Sequence, residues 1–253
     1  MPDTPANQAE SPQPSSQKVG VGFPIARACA IASRATACVM DMAVGPDSGK
    51  ETGETALLRQ RRDSFDADDV VVADRYDCSF LLIARLLSRG VQVCARLHQR
   101  RKTDFRRGRR LGKYDHLIVW TKPQRPAWRD EATYATIPDT LTLREIRFQI
   151  VKPGCRTKVM TVVTTLTAAE VYTKADIADL SGFRWNSELD LRSIKQSLNL
   201  NHVRCKSPEM VRRELWTTLL GYNLIRTTAA ALLHEKPPRQ ISFTATCQYV
   251  LAS

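Results

Sequence analysis

Hydrophobic residues fall into short continuous runs over the first two thirds of the chain and into helical spacing over the last third. Val70-Val71-Val72-Ala73 is an unbroken apolar run, which predicts a strand buried on both faces. Asp74 follows at once; Cys78–Ser88 then reads as a helix ended by Gly90, and Val91–Leu97 as a second strand. Strand, helix and strand over this length make a βαβ unit, and chemistry in open α/β sheets collects at the carboxyl ends of such strands, where Asp74 stands. Upstream, Gly20–Ser33 and Ala37–Val44 predict a buried hairpin turning at Arg34-Ala35-Thr36. Thr52 or Thr55 is suited to cap a helix running to about Phe65. Its stripe Leu57, Arg61, Phe65 puts an arginine among apolar positions, so Arg61 must snorkel or weaken the packing.

Downstream, His116–Thr121, Leu141–Val151 and Lys158–Leu166 are strand-like and together predict a β-rich segment. Ala168–Leu198 is helical in two pieces around Gly182, and Ser207-Pro208 opens a helix over Glu209–Leu233. That helix presents Leu215, Leu219, Tyr222, Leu224 and Ile225 for packing and is stopped by Pro237-Pro238. At the ends of the chain, the prolines of Met1–Lys18 predict an extended or disordered arm, and the last 15 residues show no closing element.

One stretch, Leu180–Leu200, carries polar residues in an ordered way. With about 100° per residue and Glu188 as origin, Ser181, Arg184 and Lys195 fall within roughly 40° of that carboxylate. Leu180, Phe183, Leu191, Ile194 and Leu198 occupy an adjacent arc. One carboxylate and two cations therefore line the edge of an apolar face, the arrangement expected where a core meets a cleft.

Charge sharpens this picture. The chain of 253 residues is 43% hydrophobic, near the globular norm, and carries a formal net charge of +12. Arg96–Lys113 holds nine basic residues against Asp104, a net +8. Two thirds of the excess charge is thus concentrated in one segment, which Gly108 and Gly112 keep loop-like. A polyanion is the matching partner. Seven scattered cysteines, never spaced C-x-x-C, argue against a disulfide framework or zinc site and fit a reducing cytoplasm. No signal-like or membrane-spanning apolar run is present.

Each candidate also has a plainer interpretation. An aspartate after a strand is commonly a turn or cap residue; a helix carboxylate four residues from Arg184 is commonly an intrahelical ion pair; a basic run is commonly a solvated surface. In combination, Asp74, Glu188, the cationic stripe and the basic loop point to a metal site directed at phosphodiesters. The basic loop would add salt-dependent, sequence-independent affinity.

The spacing Ser181, two residues, Arg184, three residues, Glu188, six residues, Lys195 matches the signature Y-(2)-R-(3)-E-(6)-K with serine in place of tyrosine. Together with the Met1-Pro2-Asp3-Thr4-Pro5 opening, Asp74-Arg75-Tyr76, the RLHQRRKTDFRRGRR segment and RCKSPEMVRRELW, it resembles bacterial insertion-sequence DDE transposases of the family named after insertion sequence four. The resemblance implies an α/β, RNase H-like mixed sheet flanked by helices, with a β-rich insertion and a helical C-terminal part. It divides the chain into an N-terminal part of the catalytic core over 1–97, a basic loop and β-rich insertion over 98–166, and the catalytic and C-terminal helices over 167–253.

The implied activity is metal-dependent cleavage and strand transfer of insertion-sequence DNA, with transposon ends and target DNA as partners and a homodimer on DNA. Two Mg²⁺ ions would be held by acidic residues, of which Asp74 resembles the second and Glu188 the third. Arg184 and Lys195 resemble the cations that hold phosphates, and Ser181 stands where the family has its tyrosine. Arg100, Arg101, Lys102, Arg106, Arg107, Arg109 and Arg110 are the expected DNA clamp. The family's first acidic strand lies upstream of the opening motif inside which this chain begins, so a truncated chain of impaired activity is expected. Another RNase H-like nuclease and a non-catalytic DNA-binding protein are the alternatives, and the bacterial cytoplasm, with no membrane association, is the expected location.

Overall fold

The computed structural model describes the whole chain except Val19, Lys50, Glu51, 151–157, 183–189, Asn201, 233–235 and Ser253. Its residues form two compact units, Phe65–Arg184 and the pair of segments Met1–Ser64 with Trp185–Ser253.

The expected α/β architecture forms, with a six-stranded mixed sheet flanked by helices in the unit Phe65–Arg184. Its βαβ unit runs β3 (Val70–Ala73), α3 (Phe80–Leu87) and β4 (Gln92–Arg96), with β3 and β4 parallel and in register Val70 to Gln92 through Ala73 to Ala95. Ser79 caps α3, its hydroxyl accepting from the Leu82 amide at 3.3 Å. Gly90 ends the helix at φ +78°, where the amides of Gly90 and Val91 reach back to the carbonyls of Leu87 and Leu86.

The β-rich segment supplies β5 (Arg109–Gly112), β6 (Asp115–Thr121), β7 (Thr140–Ile150) and β8 (Lys158–Thr164). All four join the βαβ strands in one sheet of order β3-β4-β8-β7-β6-β5, with every pair after β3–β4 antiparallel. A short α4 (Glu131–Ala135) lies between β6 and β7. Below the sheet, α5 (Lys174–Gly182) buries Ile177 against Cys94, Ile146, Val162 and Leu166.

Two expectations change here. The Val70–Ala73 run forms an edge strand rather than a strand buried on both faces, and Val70 itself is exposed. Continuous apolar character cannot distinguish a half-covered edge strand from a central one. The basic run is not loop throughout, because Arg109–Gly112 pairs with β6. Gly108, at φ +75°, makes that turn: a Cβ there would stand 2.0 Å from the Leu117 carbonyl oxygen.

The other unit holds α1 (Pro5–Glu10), the antiparallel hairpin β1 (Ala26–Ala32) and β2 (Val39–Pro46), α2 (Glu54–Gln60), α6 (Pro208–Leu232) and α7 (Phe243–Ala252). The hairpin forms where expected but is half-buried along β1. Its partner β2 contributes Val39 and Met42 to a core with Ile194, Val211, Leu215, Leu219, Tyr222 and Phe243.

The N-terminal arm contains a helical turn despite its prolines, because Pro5 occupies the first helical position, where no amide donor is needed. Thr4 caps it, its hydroxyl accepting from the Asn7 amide, and Asn7 is buried with its side-chain amide donating to the carbonyls of Pro2 and Cys205. Gly53, not a threonine, precedes α2. Arg61 lies just past the helix and pairs with Asp41 at 3.9 Å, so the cation sits at the rim of the packing instead of inside it. On α6, Leu215, Leu219 and Tyr222 are buried as expected, whereas Leu224 faces solvent. The final residues close the chain with α7, whose Phe243 ring lies 4.9 Å from that of Tyr222. Among the described residues no helix is long and apolar enough to cross a membrane.

Candidate functional site

Asp74 stands at the carboxyl end of β3, as its position after the valine run requires. Its Oδ1 accepts from the Arg75 amide at 2.7 Å and caps the 3-10 turn Arg75–Asp77. The cap interpretation of Asp74 is therefore true of its geometry, and it fixes the carboxylate at the strand end. The same turn places Arg75, whose Nη1 donates to Gln99 Oε1 at 2.9 Å. Tyr76 follows, exposed and edge-on to His98 with ring centroids 6.1 Å apart.

Next to this turn is an open cleft of about 470 Å³. Arg75, Arg96, His98, Arg101, Lys102 and Arg147 line it, and among the described residues no acidic side chain does. Three elements deliver these side chains: the turn after β3, the end of β4 with the chain leaving it, and β7. Arg147 pairs in register with Thr161, to whose hydroxyl its Nε donates at 3.2 Å, and its guanidinium lies 4.9 Å from the Phe105 ring centroid. Like charges brought together without carboxylates form a strong positive field, and such a cleft is suited to a phosphate-rich ligand.

A buried polar network holds the basic loop against the sheet. The Arg101 guanidinium stacks 3.7 Å from the centroid of Trp120. Trp120 Nε1 donates to Glu145 Oε1 at 3.1 Å, and Glu145 Oε2 faces His116 Nε2 at 3.3 Å. His116 Nδ1 lies 2.6 Å from the Arg107 carbonyl, to which it donates. Trp120, Glu145 and His116 are all buried, and each finds a partner, as polar groups removed from water must. Cys78 is a neutral packing group, because burial pushes its thiol up to about 11.

The expected DNA-binding residues separate into distinct environments. Arg101 and Lys102 line the cleft. Arg106 makes a two-pronged contact with Asp104 at 2.9 and 3.2 Å, and Arg107 reaches the same carboxylate at 3.6 Å. Those hydrogen bonds from Arg106 hold the Asp104 carboxyl down at about 2. Arg100, Arg109 and Arg110 are exposed, the last two on β5. Ser181 is buried at the end of α5 with its hydroxyl 3.3 Å from Cys94 Sγ, a packing contact with the sheet.

Lys195 is exposed in a π-helical turn, Ser193–Ser197, so the regular 100° spacing that aligned it with Glu188 does not run through this segment. Arg184 and Glu188 lie outside the described residues. Arg75, His98 and Arg147 were not singled out from the sequence. Arg75 adjoins Asp74, and Arg147 stands one β period from Glu145, so strand alternation was the available signal.

Carboxylate oxygens suit a hard divalent cation. Among the described residues no group of three His, Cys, Asp or Glu side chains is gathered to hold one. Asp74 is thus the described member of the expected ligand set.

A family model described as the transposase DDE domain matches residues 4–224. A transposase, InsG for insertion sequence element IS4 of Escherichia coli (strain K12), is 32% identical over 159 residues, covering 60% of this chain and 34% of that protein. The chain therefore matches about a third of the length of this curated relative.

Proposed function

The chain belongs to the transposase DDE domain family, and from that premise we propose that it cuts and rejoins DNA as the catalytic part of an insertion-sequence transposase. The observation that carries the proposal is the fixed carboxylate of Asp74 at the strand end, immediately before an arginine of a cleft lined by five basic side chains. A phosphodiester chain needs such a cleft to offset its charge, and metal-dependent cleavage needs carboxylate ligands close to it.

In this reading Asp74 and Glu188 hold divalent metal, with Mg²⁺ the ion that all-oxygen ligation favours. When bound, the metal supplies activation of the attacking oxygen and stabilisation of the leaving one. The protein's own contribution is to position the DNA. Arg75, Arg101, Lys102 and Arg147 grip phosphates, with Arg184 and Lys195 as further grips. Arg100, Arg109 and Arg110 extend the positive surface over flanking duplex, while Arg106 and Arg107 contribute less because Asp104 already engages them. No DNA contact is assigned to Ser181, which is buried. Transposon ends and target DNA are the proposed partners, a homodimer on DNA the proposed assembly and the bacterial cytoplasm the proposed location.

The test is a cleavage and strand-transfer assay with the purified chain, a duplex carrying an insertion-sequence end, and Mg²⁺ or Mn²⁺. Metal-dependent nicks and joined products that vanish in Asp74→Ala and Glu188→Ala are expected. Products unaffected by those substitutions would refute the assignment. Nicks without joined products would identify a plain nuclease, and DNA binding without either product a binding protein.

A further inference from the structure

The unit built from Met1–Ser64 and Trp185–Ser253 contains a buried ionic cluster with no part in the DNA cleft. Asp190 is buried and receives two arginines. Arg226, on α6, donates Nη2 to its Oδ1 at 3.3 Å, and Arg239 engages its Oδ2. The guanidiniums are themselves tied down. Arg226 donates to the Ile241 carbonyl at 3.1 Å and to the Tyr222 hydroxyl at 3.2 Å, and Tyr222 donates in turn to the Ala37 carbonyl. Arg239 donates to the carbonyls of Ser33 and Arg34 at 3.0 and 2.7 Å. One carboxylate thereby links its own segment to α6, to the turn of the β1–β2 hairpin and to the chain entering α7.

We propose that this cluster is a pin that fixes the described segment from Asp190 to Ser197, which follows Glu188 in sequence and holds Lys195, making Asp190 a positioning residue for the DNA-processing reaction. The inference rests on the transposase reading for the roles of those two residues, and on the geometry for the pin itself. Asp190 follows Glu188 by two residues, and two residues of extended chain span no more than about 7 Å. Anchoring Asp190 therefore fixes the start of the described segment that follows Glu188 in sequence. Four residues beyond Asp190, Ile194 is buried in the core with Leu215, Leu219 and Tyr222, so the segment is held at two points. Lys195 comes next, within the π-helical turn, a distortion found often at functional sites and one that needs fixed flanks to keep its register.

Stability alone is a poor reason for such a cluster. Apolar residues of the same volume commonly serve stability as well as a buried ion pair does, whereas directional forks select one arrangement. Here two cations face one anion, and Arg239 Nε is buried without a hydrogen-bond partner, so the arrangement is not optimised for electrostatic gain.

Hydrogen exchange on the full chain, read by mass spectrometry, tests the pin in Asp190→Asn and in the milder Arg239→Met, which leaves the Arg226 contact in place. Exchange at residues 190–197 is expected to rise at least tenfold in both, with the interior of α6 around Leu215 and Leu219 unchanged and with partial recovery in Arg239→Lys. Unchanged exchange at 190–197, or an equal rise throughout the unit, would overturn the proposal. On an end-bearing duplex with Mn²⁺, the same variants should cleave at least tenfold more slowly with DNA affinity held within twofold. Cleavage at the wild-type rate would also overturn it. A wild-type chain that does not cleave refutes the proposed cleavage by this chain and leaves the exchange measurement to decide the pin.

Discussion

Buried and open arginines of this protein have opposite character. Around Asp115 and Asp190, guanidiniums are buried and met by carboxylates and backbone carbonyls, as when Arg144 donates to both Asp115 oxygens at 2.8 and 2.6 Å and to the Tyr172 carbonyl at 2.6 Å. In the cleft beside β3, guanidiniums and an ammonium gather with no carboxylate among the described lining residues. A buried charge must be partnered within the protein, because the interior offers no water to solvate it. A cation at an open cleft leaves its field to an external anion. The role of an arginine is thus decided by the acceptors that face it, not by its residue type or its membership of a basic run.

The sharpest break of this contrast is on the buried side. Arg144→Ala leaves Asp115 buried without its partner and should destabilise the protein by about 3–5 kcal/mol, read as a shift in the urea midpoint. The cleft should respond the other way. Arg75→Ala with Arg147→Ala should leave the urea midpoint in place and flatten the logarithmic salt dependence of DNA binding by about 2, near 0.9 for each phosphate that is no longer neutralised.

The intermediate case is Asp104, which occupies Arg106 and Arg107 at the surface. Asp104→Asn should release both for DNA and steepen the salt dependence by less than about 1, measured by fluorescence anisotropy with increasing salt. The smallest effect is a pH dependence. The Asp104 carboxyl lies at about 2 against an ordinary 3.8, held down first by its hydrogen bonds from Arg106. A depressed carboxyl contributes above the ordinary value and loses that contribution as pH falls through about 2. Arg106→Ala should bring the carboxyl back towards 3.8 in an NMR titration, with no measurable change in thermal unfolding at neutral pH.

The βαβ unit was legible because each of its signals is local: the valine run, the helical stretch ended by Gly90 and the second apolar run. Asp74 was legible for the same reason, since its place follows from the end of a strand. Sheet order was not. Whether Val70–Ala73 lies at an edge depends on which distant strands pair, and that information is absent from the run itself. The cleft escaped for a related reason. Arg75 and Arg147 are 72 positions apart, and only the pairing of β7 with β8 and of β8 with β4 brings their segments to one cleft.

Helix phase was the third limit. A uniform 100° step through 180–200 aligned Lys195 with Glu188, but the π-helical turn at Ser193–Ser197 interrupts that step. The same projection left Ser181 on the polar stripe, while its hydroxyl packs against Cys94. The short helix at Pro5 was missed by counting prolines rather than asking which position each would take.

Gly108 bears on how this surface can drift in sequence. The solvent-facing cations Arg100, Arg109 and Arg110 should tolerate exchange, since a field summed over many charges changes little when one of them moves. Gly108 has no such latitude, because the Leu117 carbonyl occupies the space any side chain would need and the backbone is already left-handed there. Across natural variants of this protein, those solvent-facing charges should therefore be the replaceable part, and Gly108 the part that stays.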